Sequence, residues 1–214
     1  MKKIMLIGDS IRMGYDKYVA MALEGSAEVY YPKENCRFSP YVLRNLHAWL
    51  DQSGFGEDTD CLHWNVGLWD CLNLFDDGPT VPLDFYEQYL HRICRRIQLL
   101  FPKAQVIFAT STPVNEAGYR NPKRSRRENS VIESYNAAAV KIVQQYGFRI
   151  NDLYGLLQDK PLSWHSDMTH YYTKDATQAM TDQVLRAISQ CVDVQIKPVD
   201  YVSLFPENEK EIGF

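Results

Sequence analysis

Short apolar runs, none longer than a strand, alternate along the chain with stretches whose apolar positions recur every three or four residues. KKIMLIG (2–8) ends its apolar run at Gly8 and predicts a first strand, with a helix following from about Ile11 to Leu23. AEVYYP (27–32) predicts a second, short strand. SPYVLRNLHAWL (39–50) opens as a helix should, with Ser39 placed to cap it and Pro40 at the first helical position. DCLHWNVG (60–67) predicts a third strand stopped by Gly67. After a loop containing Asp76-Asp77-Gly78-Pro79, residues 83–101 carry Phe85, Tyr89, Ile93, Ile97 and Leu100 at helical spacing. AQVIFAT (104–110) is the fourth strand, and residues 128–147 form an amphipathic helix with Gly147 as its stop. FRINDLY (148–154) is the fifth strand, and a last helix, about Lys174 to Cys191, follows WHSDMTHYYT.

Strands separated by helices imply right-handed crossovers and a parallel sheet. The predicted architecture is therefore α/β: a three-layer α/β/α sandwich around a five-stranded parallel sheet of the flavodoxin-like kind. One domain over residues 1–191 accounts for this rhythm. Residues 192–214 fall outside it, as a C-terminal extension expected to pack on the body or on a neighbouring subunit.

Composition narrows the function classes. A chain of 214 residues, 45% hydrophobic and 23% charged, can bury a core without disulfides or metals. Its formal net charge of -4 argues against a nucleic-acid partner, and no apolar run is long enough for a membrane span. The N-terminal apolar stretch, Ile4 to Ile7, is too short for a signal core, so the chain reads as mature from residue 1 and cytoplasmic. The five cysteines (Cys36, Cys61, Cys71, Cys94, Cys191) are odd in number and form no CxxC pair, which suits small hydrophobes in a reducing compartment.

In open parallel sheets ligands bind beyond the carboxyl ends of the strands. The segments there are residues 8–14, 32–39, 67–82 and 110–127, with the region after the fifth strand. Ser10 lies at the first of these ends. Alone, a serine there is as well explained by helix capping; as a nucleophile it needs a base, and the base needs an orienting group. His47 and His91 lie in predicted helices and His63 in a strand. His165 and His170, after the fifth strand, can approach the mouth. Asp167-x-x-His170 lets a carboxylate meet the imidazole Nδ1 of its own turn, leaving Nε2 for a serine; His165 lacks that spacing and is a neighbour.

Gly8-Asp9-Ser10 near one end, with Asp167-x-x-His170 near the other, resembles the SGNH (GDSL-type) hydrolases, serine esterases on a flavodoxin-like sheet. NVGLWD (65–70) is similar to that family's Gly-x-Asn-Asp block, with Gly67 and Asp70 in place, and PKENCRFS (32–39) occupies the position of its second block. The resemblance implies Ser10 as nucleophile, His170 as base and Asp167 as the orienting acid. Two departures matter: Trp69 stands where the third block has Asn, and the second block reads Asn35-Cys36-Arg37 without its Gly. The candidate oxyanion donors are then the Ser10 N–H, the Asn35 side-chain amide and Asn65, with Asp9, Gly67, Trp69 and Trp164 as candidate substrate-binding residues. Cys36 reads as packing. His165, Asp167 and His170 lack a zinc-type spacing, so no metal and no cofactor are expected.

Trp64, Trp69, Trp164, Tyr171 and Tyr172 crowd the predicted mouth, with Trp64 best read as strand core. The absence of a long apolar lid points to small acyl groups, and the family resemblance to acetyl esters of carbohydrates. Arg120, Lys123, Arg124, Arg126 and Arg127 lie in the loop after the fourth strand, either as a solvated run or as a cationic rim for an acidic sugar or a phosphorylated substrate. The expected partner is a small-molecule or oligosaccharide ester, with no nucleic acid and no membrane, and the C-terminal extension leaves room for a homodimer. Three alternatives stay open: a thioesterase or lysophospholipase with the same triad, a non-catalytic carbohydrate-binding protein on the same fold, and an anion-binding domain using GDSIRMG as a phosphate loop.

Overall fold

Ile4, Met5, Leu6 and Ile7 are all fully buried, the near-continuous apolar run demanded of a strand covered on both faces. They belong to β1 (Lys2–Ile7), and a computed structural model describing residues 1–205 shows what surrounds it. In chain order follow α1 (Ser10–Ala22), β2 (Ala27–Tyr30), α2 (Ser39–Ser53), β3 (Cys61–Trp64), β4 (Asn73–Leu74) and α3 (Leu83–Leu100). The second half contributes β5 (Gln105–Ala109), β6 (Ser125–Arg126), α4 (Asn129–Gln145), β7 (Arg149–Asn151), α5 (Leu153–Leu157), α6 (Lys174–Ser189) and α7 (Tyr201–Leu204).

The five main strands pair in the order β2-β1-β3-β5-β7, every pair parallel. Helix α1 packs beside α6 in one layer, while α3 sits between α2 and α4 in the other, giving the expected α/β/α sandwich. Strand order reverses between β1 and β3, and the crevice beyond their carboxyl ends is where such sheets place ligands. Ser10 begins the helix leaving β1, and Gly67 lies in the loop leaving β3.

Three local expectations are corrected. Strands end earlier than their apolar runs: the third stops at Trp64 instead of Gly67, and the fifth at Asn151, with Leu153 already opening α5. Ser39 does not cap α2. Phe38 holds that position without a side-chain bond, and Ser39 turns inward to Asp70. Finally, β4 and β6 form an unexpected antiparallel pair, Asn73 opposite Arg126 and Leu74 opposite Ser125, beside the crevice loops.

Residues 192–205 run back along α1. Gln195 N–H donates to Ser26 Oγ at 2.8 Å and Lys197 N–H to the Ala22 carbonyl at 2.7 Å. The rings of Tyr201 and Phe205 lie against Tyr18. The remainder of the C-terminal extension, 206–214, lies outside the described residues. Among the described residues no helix is long and apolar enough to cross a membrane.

Candidate active site

The end of β1 is built for close approach. A Cβ at Gly8 would stand 1.9 Å from Asn65 Oδ1 and 2.7 Å from Arg12 Cβ, so only glycine fits without displacing one of them. The Gly8 carbonyl accepts the Cys36 N–H at 3.1 Å, which draws the segment after β2 alongside. Arg12 is buried and straps that segment down, donating to the carbonyls of Pro32 (2.9 Å) and Glu34 (2.6 Å) while pairing with Asp16. Nothing in the sequence reading singled out Arg12; a Gly followed four residues on by Arg carries no signal for it.

Asp9 was expected among the substrate-binding residues, and the structure corrects this. It is fully buried, and its Oδ1 accepts the Ile11 N–H at 2.9 Å as the N-cap of α1. Burial raises its pKa, against the opposing hydrogen bonds from Asn65 and Ile11. Asn65 is corrected as well. It is buried against Gly8 and its Nδ2 donates to Asp9 Oδ1 at 3.0 Å, so its amide braces the cap instead of facing Ser10.

Ser10 is the first residue of α1, and its N–H has no partner among the described residues, as befits one of the orphan donors of a helix start. Its Oγ lies 2.8 Å from His170 Nε2, and His170 Nδ1 lies 2.6 Å from Asp167 Oδ2. The turn carrying His170 is closed on itself. Asp167 Oδ1 accepts the N–H groups of Thr169 (2.6 Å) and His170 (2.8 Å), and Ser166 N–H donates to the His170 carbonyl at 2.8 Å. Burial would push the Asp167 carboxyl up, but the His170 and backbone hydrogen bonds outweigh it and hold the pKa down at about 2.

Tyr172 adds a brace that sequence reading had placed only as one of several mouth aromatics. Its ring stacks on His170 with centroids 4.9 Å apart, and its hydroxyl donates to the Ser10 carbonyl at 2.7 Å. The ring also lies across Gly14, where a Cβ would come within 2.8 Å of it. Tyr171 is buried core instead, its ring tilted at 38° against His165 with centroids 4.1 Å apart. Trp64 is fully buried, edge-on to Phe108.

Asn35 precedes Cys36, the residue tied to the Gly8 carbonyl, and its Oδ1 accepts the Arg37 N–H at 2.8 Å, in a turn that puts Arg37 at a φ of 53°. Its Nδ2 is uncommitted among the described residues. Gly67, at φ 142°, is buried, and a Cβ there would sit 2.5 Å from Ser111 Oγ; it shapes the wall and presents no side chain to a substrate. Trp69 is half-buried, with no hydrogen bond from its indole among the described residues. Trp164 is half-buried under Lys160, whose Nζ lies 5.1 Å from its ring centroid. Asp70 accepts the Ser39 hydroxyl at 2.5 Å; burial pushes its pKa up to about 7 despite that bond. Cys36 is buried and its thiol pushed up to about 11 by that burial, which makes it inert.

Among the described residues no group of His, Cys, Asp and Glu side chains is gathered as a metal site requires. A groove of about 550 Å³ lies elsewhere, along the edge strand β2 between Tyr30, Tyr31 and Gln52, and touches neither Ser10 nor His170.

A parallel sheet in this strand order, with serine, histidine and carboxylate in line at its switch point, has the fold of the SGNH (GDSL-type) hydrolases. Comparison with known proteins agrees. The chain superimposes on a lipase/acylhydrolase from Enterococcus faecalis with a TM-score of 0.69 at 19% identity, covering 93% of this chain and 100% of that one. An acetylxylan esterase from Geobacillus stearothermophilus gives a TM-score of 0.67 at 17% identity, over 87% of this chain and 94% of that one. In sequence, a GDSL esterase/lipase of Arabidopsis thaliana is 34% identical over 86 residues, 38% of this chain and 34% of the relative. A second GDSL esterase/lipase, from Oryza sativa subsp. japonica, is 23% identical over 137 residues, 58% of this chain and 52% of the relative. The matched part thus spans between a third and about half of these curated relatives. No model of a known protein family matches the chain.

Proposed function

We propose that this chain is a serine esterase that hydrolyses small acyl esters, acetyl foremost, of a carbohydrate alcohol. The observation that carries the reading is the unbroken line from Ser10 Oγ through His170 to Asp167, with separations of 2.8 and 2.6 Å. Ser10 Oγ attacks the ester carbonyl as His170 Nε2 takes its proton; Asp167 holds the Nδ1–H and stabilises the imidazolium. The developing oxyanion is met by the Ser10 N–H and Asn35 Nδ2, both without a partner among the described residues, on segments joined by the Cys36 N–H to the Gly8 carbonyl. Collapse expels the alcohol, which takes the proton from His170. Water, deprotonated by His170, then attacks the acyl-serine, releasing the acid and restoring Ser10.

The preference for a short acyl group draws support from the acetylxylan esterases among the structural neighbours. A p-nitrophenyl ester series from acetate to octanoate, run beside acetate release from acetylated xylo-oligosaccharides, tests it. The expected result is the highest kcat/KM for acetate together with measurable release from the sugar. A kcat/KM that climbs with chain length, with no acetate released from the sugar, would overturn the substrate class.

A further inference from the structure

The basic run between β5 and α4 does not behave as one patch. Arg120, Lys123 and Arg124 are exposed, and Arg126 is neutralised by Asp76 and Glu128. Arg127 alone turns inward. Its Nε donates to the Leu68 carbonyl, in the loop leaving β3, and its Nη1 lies 3.4 Å from the Oγ1 of buried Thr169, the residue before His170. The guanidinium is therefore held between the switch-point loop and the turn bearing the proposed base.

Half-buried and fixed at two points, Arg127 pairs with no carboxylate among the described residues, and its Nη2 has no partner there. The nearby acid Asp9 is buried and close enough to feel the Arg127 charge, but it forms no ion pair with it: its Oδ1 accepts from Ile11 and Asn65, and its Oδ2 has no hydrogen-bond partner among the described residues. A guanidinium loses much of its hydration in such a place and presents a planar fork suited to a carboxylate or a phosphate. A cation held for packing alone would sit more favourably against an acid of its own chain.

We infer that Arg127 is an anion-binding subsite that selects ester substrates carrying a carboxylate or phosphate on their alcohol half. The inference rests on the esterase reading above for its orientation: His170 hands its proton to the leaving alcohol, so groups on the His170 side of Ser10 face that half. Arg127 then sets specificity and takes no part in bond making.

Three acetyl esters test this: 4-acetoxybenzoate, 4-acetoxyphenyl phosphate and the neutral methyl 4-acetoxybenzoate. Each is compared by kcat/KM in the wild type, Arg127→Gln and Arg127→Lys. The readout is the ratio of anionic to neutral ester, so any common loss from weakened loop anchoring cancels. Arg127→Gln is expected to lower the ratio about tenfold or more, the range of a charge-assisted hydrogen bond, and Arg127→Lys to retain part of it. Whichever anionic ester shows the larger drop identifies the group recognised. An equal loss on all three esters would make Arg127 a strut between two loops and overturn the subsite.

Binding separates this from the esterase reading. On a Ser10→Ala background, 4-acetoxybenzoate or the phosphate ester is expected to bind more tightly than the methyl ester, and Arg127→Gln to erase the margin. A binding margin without wild-type hydrolysis contradicts the esterase and keeps the subsite; hydrolysis without any margin does the reverse.

Discussion

Asp167 shows how a single residue governs the site. It accepts from two backbone N–H groups of its own turn and from His170 Nδ1, so it shapes the turn and selects the imidazole tautomer together. Asp167→Asn keeps an oxygen for the backbone but sets its amide against Nδ1, favouring the wrong tautomer. The expected loss in kcat is about 10⁴-fold, with KM little changed, as measured on p-nitrophenyl acetate. A loss below about tenfold would mean that the turn alone orients His170. Ser10 was legible as a candidate because it directly follows the first strand, and Asp167 and His170 because their three-residue offset is one that the chemistry of a base and its orienting acid explains. Arg12 and Tyr172 were not legible as braces, because their partners are backbone carbonyls and a ring face, contacts that only the fold creates. Asn65 misled for the converse reason: a side-chain amide near a catalytic loop looks like a donor until burial shows where its hydrogens go.

At the scale of elements, the periodicities gave the parallel sheet and its helices, while strand ends were overrun. Asn65, Val66 and Gly67 stay buried beyond the end of β3, but only Asn65 still bonds to β1, through its N–H to the Ile7 carbonyl at 3.0 Å. The β4–β6 pair escaped notice because two-residue strands have no period to read. The turn that follows β4, leading back to the Asn73–Pro79 bridge, is strained. Asp77 N–H donates to the Leu74 carbonyl at 3.1 Å, and the central residues Phe75 and Asp76 have φ of 57° and 58°, the pattern of a type I′ turn. That turn suits Asn, Asp and Gly, whereas Phe75 places a ring that is 72% exposed at the first central position. Phe75→Asn is expected to stabilise the fold by about 1 kcal/mol, seen as a higher urea midpoint at unchanged m-value. A lower midpoint would show that the ring is anchored against the body.

For the whole molecule, two buried groups set opposing responses to pH. Asp70, with its pKa raised to about 7 from an unfolded value of about 4, holds a proton when folded and not when unfolded. It contributes stability that is fully present below about pH 4 and lost as pH rises through 7. His63, fully buried, is pushed down to about 3 by that burial, so its contribution is present above about pH 6.5 and lost on acidification toward 3. The two slopes oppose each other between about pH 4 and 6.5. Asp70→Asn leaves the His63 slope alone, so the variant's Tm is expected to fall more steeply than the wild type's over that range. Parallel curves would contradict the assignment. Whether this fold works as a serine esterase is decided by p-nitrophenyl acetate hydrolysis in the wild type beside Ser10→Ala and His170→Ala. Turnover by the wild type and a loss of several orders of magnitude in each variant are expected. Wild-type rates no faster than those of the two variants would contradict the esterase.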